Sequence, residues 1–368
     1  MNKRLLFLGA AILLSISSYS QGVGIPSKKG GIGFGNLPRF TGIRFNAVDK
    51  NVERINGVNV TVWQSKNEDD QTGTMNGVSV GLPIAMGTEN RNGLGVGILG
   101  IGAKKNLNGI NFGGLGVGAG GNVNGINIGG LGIGAGGNLK GINIGGLGAG
   151  SGGDVIGINL GGLGIGAGGN LIGFNFGGVG VGSGGKVAGI NIGGIGVGSG
   201  ENLSGITIAG IGVGSGGKIS GITVAGVGIG AGDQISGLAA SLIAVGSPKI
   251  KAIVIAPVIG GMELTGLIIA PAYMKVGFTN KNWNDGEVTI DEKEGVMKGV
   301  SISAFNHIKG TQKGVAIGVF NYASTQRGLQ LGVLNYVKDN PKGLRLLPIF
   351  NVHFGKKNVR KDTEKEGE

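Results

Sequence analysis

The sequence predicts an all-β repeat protein, and a parallel β-solenoid with coils of about 14–16 residues fits it best. A sixteen-residue unit recurs eight times between residues 109 and 236 without insertion or deletion. A fixed period of this length is typical of repeat architectures. Within each unit, apolar residues alternate with glycine or polar residues, which is the pattern of a strand. Glycine accounts for 87 of 368 residues and recurs in pairs that indicate turns.

The repeated unit reads Gly-Ile-Asn-Ile-Gly-Gly-Leu-Gly-Ile-Gly-Ala-Gly-Gly-Asn-Leu-Lys, and we number its positions 1 to 16. Apolar residues occupy positions 2, 4, 7, 9 and 15, and position 11 is small. The alternation slips by one residue between positions 4 and 7. A single strand would therefore carry its apolar residues on one face before the slip and on the opposite face after it. Two short strands with corners at positions 5–6 and 12–14 would keep all six groups inside. Proline replaces glycine at position 6 in degenerate units, as a bend would allow.

Two antiparallel arrangements compete with the solenoid, a β-meander and an outer-membrane β-barrel. The invariant spacing and the lack of odd–even alternation between units favour the solenoid, because a barrel reverses direction at every strand. The C-terminal units favour the barrel most, since residues 328–336 could form one continuous strand. Whether the array and the C-terminal units share one geometry is left open.

Position 3 would face outward in this arrangement and is the candidate interaction strip. Stacked amides can form a hydrogen-bonded ladder that only stabilises the rod, and a ligand-binding strip is the alternative. The residues concerned are Asn111, Asn127, Asn143, Asn159, Asn175, Asn191, Thr207 and Thr223.

The remaining segments differ in composition from the array. Residues 1–20 have the basic, apolar and small-residue regions of a secretory signal. The predicted organisation is a signal peptide (1–20), a leader (21–41), degenerate N-terminal repeats that cap the array (42–108), the eight regular repeats (109–236), degenerate C-terminal repeats (237–354) with an insertion (277–298), and a charged disordered tail (355–368).

No motif in the sequence indicates catalysis. The net charge of +12 lies at the two ends, while charges within the array cancel, so a nucleic-acid partner is not expected. Gly-x-Gly-x-x-Gly matches lack the helix and the acidic residue of a dinucleotide site. His307 and His353 are interpreted as strand-face residues, and no cysteine is present. We therefore predict no catalytic, cofactor or metal site.

The motifs Gly-Ile-Asn-Ile-Gly-Gly-Leu-Gly and Gly328-Leu-Gln-Leu-Gly-Val-Leu-Asn-Tyr resemble bacterial surface-repeat proteins of the LA_2272 type. The resemblance covers residues 42–354 and carries no catalytic residue. It implies an exported protein of the cell envelope, outer membrane or cell surface, and it implies no known activity. Our own prediction is a non-catalytic protein with a structural or adhesive role. The partner is left open, with envelope components or other surface proteins as candidates, and membrane association is allowed. A pore or anchor is the alternative function if the fold is a barrel.

Overall fold

The computed structural model describes residues 22–284 and 287–353, except for the side chains of residues 279–292. The predicted signal peptide and charged tail therefore lie outside the described residues. The chain divides into two compact units, Met1–Glu201 and Asn202–Glu368, called unit 1 and unit 2. Within the described residues, we find no helix with the length and apolarity needed to cross a membrane.

Unit 1 is built from short strands and one 3-10 turn. They are β1 (Val23–Ser27), β2 (Gly30–Phe34), β3 (Arg39–Asp49), β4 (Arg54–Gln64), the 3-10 turn Glu68–Asp70, β5 (Thr74–Gly81), β6 (Ile84–Ala85), β7 (Asn90–Gly97), β8 (Gly100–Ala103), β9 (Asn106–Gly113), β10 (Gly116–Ala119), β11 (Val123–Gly129), β12 (Gly132–Ala135), β13 (Leu139–Gly145), β14 (Gly148–Ser151), β15 (Val155–Gly161), β16 (Gly164–Ala167), β17 (Leu171–Gly177), β18 (Gly180–Ser183), β19 (Val187–Gly193) and β20 (Gly196–Ser199).

The array strands of unit 1 pair in parallel with the strands one coil before and after them. β13 lies between β11 and β15, and each residue is paired with the residue sixteen positions away, such as Asn127 with Asn143 and Asn143 with Asn159. The short strands pair in the same way, with Ile133 opposite Ala149. Each unit of sequence is therefore one coil, and the predicted parallel solenoid is confirmed. The antiparallel alternatives would need neighbours that run in the opposite direction.

The corners lie close to their predicted places. In the coil that starts at Gly125, the long strand ends at position 5 (Gly129), and the chain turns at Gly130 and Leu131 before β12 begins. The first corner is therefore at positions 6–7 rather than 5–6. The second lies at positions 12–14 in this coil, as predicted, because β12 ends at Ala135 and β13 begins at Leu139.

Glycine at position 1 is required by the geometry of the long strand. Gly141 lies inside β13 with a φ of 114°, a conformation that other residues rarely adopt. A Cβ atom at this place would lie 2.0 Å from the carbonyl oxygen of Gly125 in the preceding coil. The same arrangement recurs at position 1 of each regular coil of unit 1.

The prediction of which side chains face inward is wrong for half of the unit. Positions 9 and 15 are buried, as Ile133 and Leu139 show, but position 3 is buried as well, and positions 2, 4 and 7 face outward. The reason is the phase of the long strand. It begins at position 15 and runs without interruption to position 5, so that positions 15, 1, 3 and 5 share the inner face.

Unit 2 contains the same kind of coil and ends in longer strands. Its elements are β21 (Leu203–Ala209), β22 (Gly212–Ser215), β23 (Lys218–Ala225), β24 (Gly228–Ala231), β25 (Gln234–Ser241), β26 (Ala244–Gly246), β27 (Lys249–Ile255), β28 (Val258–Gly261), β29 (Glu263–Val276), β30 (Phe278–Asn284), β31 (Glu287–Lys293), β32 (Gly295–Val337), the 3-10 turn Lys342–Leu344 and β33 (Leu346–His353).

The C-terminal repeats keep the parallel geometry. β29 pairs in parallel with both β27 and β32, in a register that places Gly266 opposite Ala252 and Gly299. The array and C-terminal coils of unit 2 therefore share one strand direction, which answers the question left open by the sequence. The predicted insertion contains an antiparallel hairpin of β30 and β31. β33 pairs antiparallel with the end of β32.

The N-terminal coils hold charge in their interior. β1 and β2 form an antiparallel hairpin, and β2 pairs in parallel with β3, which pairs with β4. Arg44, at position 3 of its coil, is fully buried and forms an ion pair with the equally buried Asp49. Asp49 also accepts a hydrogen bond of 2.8 Å from the amide of Asn59.

Candidate interaction surfaces

The predicted interaction strip at position 3 is an internal ladder and is not available to a partner. In unit 1, each asparagine of the ladder except the last donates its Nδ2–H to the Oδ1 atom of the asparagine in the next coil, over 2.8–2.9 Å. Asn191, the last, accepts from Asn175 but has no partner for its own Nδ2–H. The residues are Asn111, Asn127, Asn143, Asn159, Asn175 and Asn191, all at most 1% exposed. The ladder that the sequence suggested does form, but on the inner face.

The ladder provides hydrogen-bond partners for the buried amides. A buried polar group without a partner destabilises the fold, whereas a stacked amide both donates and accepts within its column. Asn143, for example, accepts from Asn127 and donates to Asn159. In unit 2, Thr207 and Thr223 occupy this position, are fully buried and have hydroxyls without a hydrogen-bond partner. None of the eight candidates can therefore contact a ligand from outside.

The surface that unit 1 does expose is apolar. Side chains at positions 2 and 7 are exposed in all six regular coils of this unit, and position 4 lies beside them. We call these residues the apolar strip. The exposed members are Ile110, Phe112, Leu115, Ile126, Leu131, Ile142, Ile144, Leu147, Ile158, Leu163, Phe174, Phe176, Val179, Ile190 and Ile195, with exposed fractions of 36% to 54%.

The apolar strip carries no charged residue, since positions 2, 4 and 7 are aliphatic or aromatic in each of these coils. Six coils spaced about 4.8 Å apart and a width of about five residues give a footprint of roughly 24 by 17 Å, or about 400 Å². The preceding coil adds Leu94, Val96 and Ile98 to one end. A patch of this size lies within the range of the largest apolar patch on a soluble monomer, and such patches are often functional.

The interior of unit 1 contains a second cation besides Arg44. Arg91 is 2% exposed and stands between Met75 and Leu107 in the column of position 15. Its Nε atom donates to the carbonyl of Gly102 over 3.3 Å, while its two terminal nitrogens have no hydrogen-bond partner. Burial lowers the pKa of Arg91 to about 10, although the charge of Asp49 opposes this shift. Such a side chain destabilises the core.

Unit 2 carries a ladder of aromatic rings that the sequence analysis did not single out. His307, Tyr322 and Tyr336 follow one another from coil to coil, with ring centroids 5.3 and 5.5 Å apart. Tyr273 lies opposite Phe305 in the preceding coil, and its ring centroid is 6.1 Å from that of His307. The hydroxyl of Tyr273 lies 2.8 Å from Nδ1 of His307. The spacing in sequence could have revealed the ladder, because Tyr322 follows His307 by 15 residues and Tyr336 follows Tyr322 by 14.

The histidines face the strand surface, as predicted. His307 stacks on Phe305 at a centroid distance of 5.4 Å. Burial lowers the pKa of His307, and the nearby charges of Lys309 and Lys275 lower it further, so it is neutral at pH 7. His353, at the end of β33, is exposed. Among the described residues, no group of three or more histidine or acidic side chains is placed to hold a metal ion.

Comparison with known proteins identifies no relative. No protein-family model, no curated protein and no solved structure matches the chain.

Proposed function

We propose that this protein is exported and serves at the cell envelope or cell surface as a non-catalytic scaffold with a structural or adhesive role. Its contact surface is the apolar strip of unit 1. The observation that carries the proposal is the exposure of apolar side chains at the same positions in consecutive coils, without an interrupting charge.

The apolar strip is better explained by contact with another surface than by stability. Polar residues at positions 2, 4 and 7 would serve the solenoid equally well, because the inner face is completed by positions 3, 9 and 15. Exposed aliphatic and aromatic side chains contribute favourable free energy only when another surface removes them from water. The signal-like segment at residues 1–20 and the resemblance to surface-repeat proteins support the envelope location.

The contact role can be tested by placing charges on the strip. Glutamate would replace Leu131, Leu163 and Val179, which are 45–54% exposed at position 7 of three coils. If covering each half-exposed side chain contributes about 1 kcal/mol, the three changes should lower envelope affinity on the order of 100-fold. Fractionation of cells that express the full chain, followed by immunoblotting, measures the distribution.

The same three coils provide a matched control. Gly134, Gly166 and Gly182 lie at position 10, away from the strip, and a Cβ atom at each of them would meet no heavy atom within 4 Å. A triple glutamate variant at these sites adds the same charge and should fractionate like the unmodified chain. If the strip and control variants were distributed identically, the strip would not be the contact surface.

Export has its own test. N-terminal sequencing of the mature protein should show that it begins near Gln21, after the predicted cleavage site. A mature chain that retains Met1 and stays inside the cell would refute the envelope location.

A further inference from the structure

The last coils of unit 2 present an outward surface with three zones, which we call the C-terminal face. Its centre is apolar and forms an open groove of about 740 Å³. The most exposed side chains there are Ile349, at 73%, Val333, at 65%, and Val319, at 59%. Ile302, Ile317 and Leu331 lie in the same groove and are 36–40% exposed.

One border of this centre is a line of cations. Lys298, Lys313 and Arg327 are exposed and each comes directly before the first glycine of its coil. Those glycines are stacked on one another. A Cβ atom at Gly314 would lie 2.1 Å from the carbonyl oxygen of Gly299, and one at Gly328 would lie 2.1 Å from that of Gly314. The three cations therefore stand one above another along the edge of the groove.

The opposite border combines aromatic rings with further cations. It is formed by the aromatic ladder of Tyr273, His307, Tyr322 and Tyr336. Lysines extend this border, and the alternation of a strand places them on the same outward face as the rings. Lys309 and Lys338 come two residues after His307 and Tyr336, and Lys275 lies opposite His307 in the preceding coil.

We propose that the C-terminal face docks on a lipid surface with anionic headgroups. Across the face, the order is cations, aliphatic side chains, aromatic rings and again cations, which matches the layers of a membrane interface. Aliphatic groups enter the acyl boundary, and the aromatic rings lie at headgroup depth. Lysine stems pass along the apolar zone while their ammonium groups reach the phosphates.

The charges favour lipid over a second copy of the chain. Both borders are cationic, so two such faces packed together would bring cations opposite cations in either orientation. Asp339 beside Lys338 offsets only part of one border, and it accepts a hydrogen bond from Thr325. An anionic surface neutralises both borders at once. This inference goes beyond the proposed function, since it concerns a different unit and a different partner.

Sedimentation with lipid vesicles tests the proposal on the purified full chain. Vesicles of phosphatidylcholine alone are compared with vesicles that also contain phosphatidylglycerol. The unmodified chain should bind the anionic vesicles more tightly, and added salt should weaken this binding. At about fivefold per cation, the double variant Lys313→Gln/Arg327→Gln should lose about 25-fold in affinity for anionic vesicles.

Two further variants make the test specific. The double variant Lys218→Gln/Lys249→Gln removes the same charge from exposed lysines of unit 2 that lie at a corner away from the face, and it should bind like the unmodified chain. Val319→Glu/Val333→Glu should abolish binding by charging the apolar centre. Circular dichroism and melting curves confirm that each variant is folded.

Several results would overturn the proposal. One is equal binding to neutral and anionic vesicles, or no binding to either. Another is an equal loss in the border and control variants, which would indicate a general charge effect. A dimer that the valine variant disrupts, without vesicle binding, would assign the face to a second copy. Because these variants leave the apolar strip of unit 1 intact, failure here would not affect its envelope role.

Discussion

Replacing Asn143 with alanine should destabilise the solenoid far more than a surface substitution would. The side chain is fully buried, accepts a 2.9 Å hydrogen bond from Asn127 and donates one of 2.9 Å to Asn159. Alanine leaves one donor and one acceptor buried without partners. At about 1–3 kcal/mol for each orphaned group, the loss should be about 2–6 kcal/mol.

Urea denaturation of the purified chain, followed by far-ultraviolet circular dichroism, measures this loss. Hydrogen exchange at the amides of the neighbouring coils shows whether the effect is local, since a repeat array can open in parts. Asn124→Ala is the control, because this half-buried residue at position 16 forms a similar bond of 2.8 Å to Asn108. It should cost about 0.5–1.5 kcal/mol. A loss below about 0.5 kcal/mol for Asn143→Ala would be typical of a surface site and would refute the internal ladder.

Two further substitutions test the corner and the buried cation. Gly162→Val should destabilise unit 1 by about 1–3 kcal/mol or more in urea denaturation, because a Cβ atom there would lie 2.0 Å from the carbonyl oxygen of Gly146; an unchanged midpoint would contradict the tight corner. Gly166→Ala is its control and should be neutral or slightly stabilising, since nothing lies within 4 Å of that Cβ position. Arg91→Leu should stabilise unit 1 by about 1–4 kcal/mol at pH 7. Because burial lowers the pKa of this cation to about 10, the destabilisation it causes should be full below pH 10 and decline as the pH rises toward the higher pKa of arginine in the unfolded chain. The difference in denaturation midpoint between the two proteins should therefore be smaller at pH 11 than at pH 7. A midpoint that is lower for Arg91→Leu than for the unmodified chain would show that the cation is stabilising.

The sequence predicts the coil well because spacing alone determines it. A period of sixteen without insertions places Asn127 opposite Asn143, and glycine pairs mark where the chain turns. What the pattern does not reveal is the phase of the long strand. Apolar residues at positions 2 and 4 look like a core when position 1 is treated as the start of a strand, but the strand begins at position 15, before the glycine.

Position 15 decides which face is buried. Leu139 and Asn143 are four residues apart and therefore share a face, and with leucine inside, asparagine must be inside as well. The usual expectation that amides face water fails here, because a column of identical amides satisfies itself. A residue type that does not recur from coil to coil gives no sign of burial in a single sequence. Arg91, which lies in the column of Met75 and Leu107, is an example.

Cysteine accessibility tests the inward amides and outward apolar strip most directly. The chain has no cysteine, so single substitutions can be labelled without a background. Under native conditions, a thiol-reactive probe should label cysteine at Ile142 or Leu147 rapidly, since these positions are 37% and 51% exposed. Cysteine at Leu139 or Asn143, both fully buried, should react only as the coil opens. Rapid labelling at position 143 together with protection at 142 would contradict this arrangement and restore the opposite one.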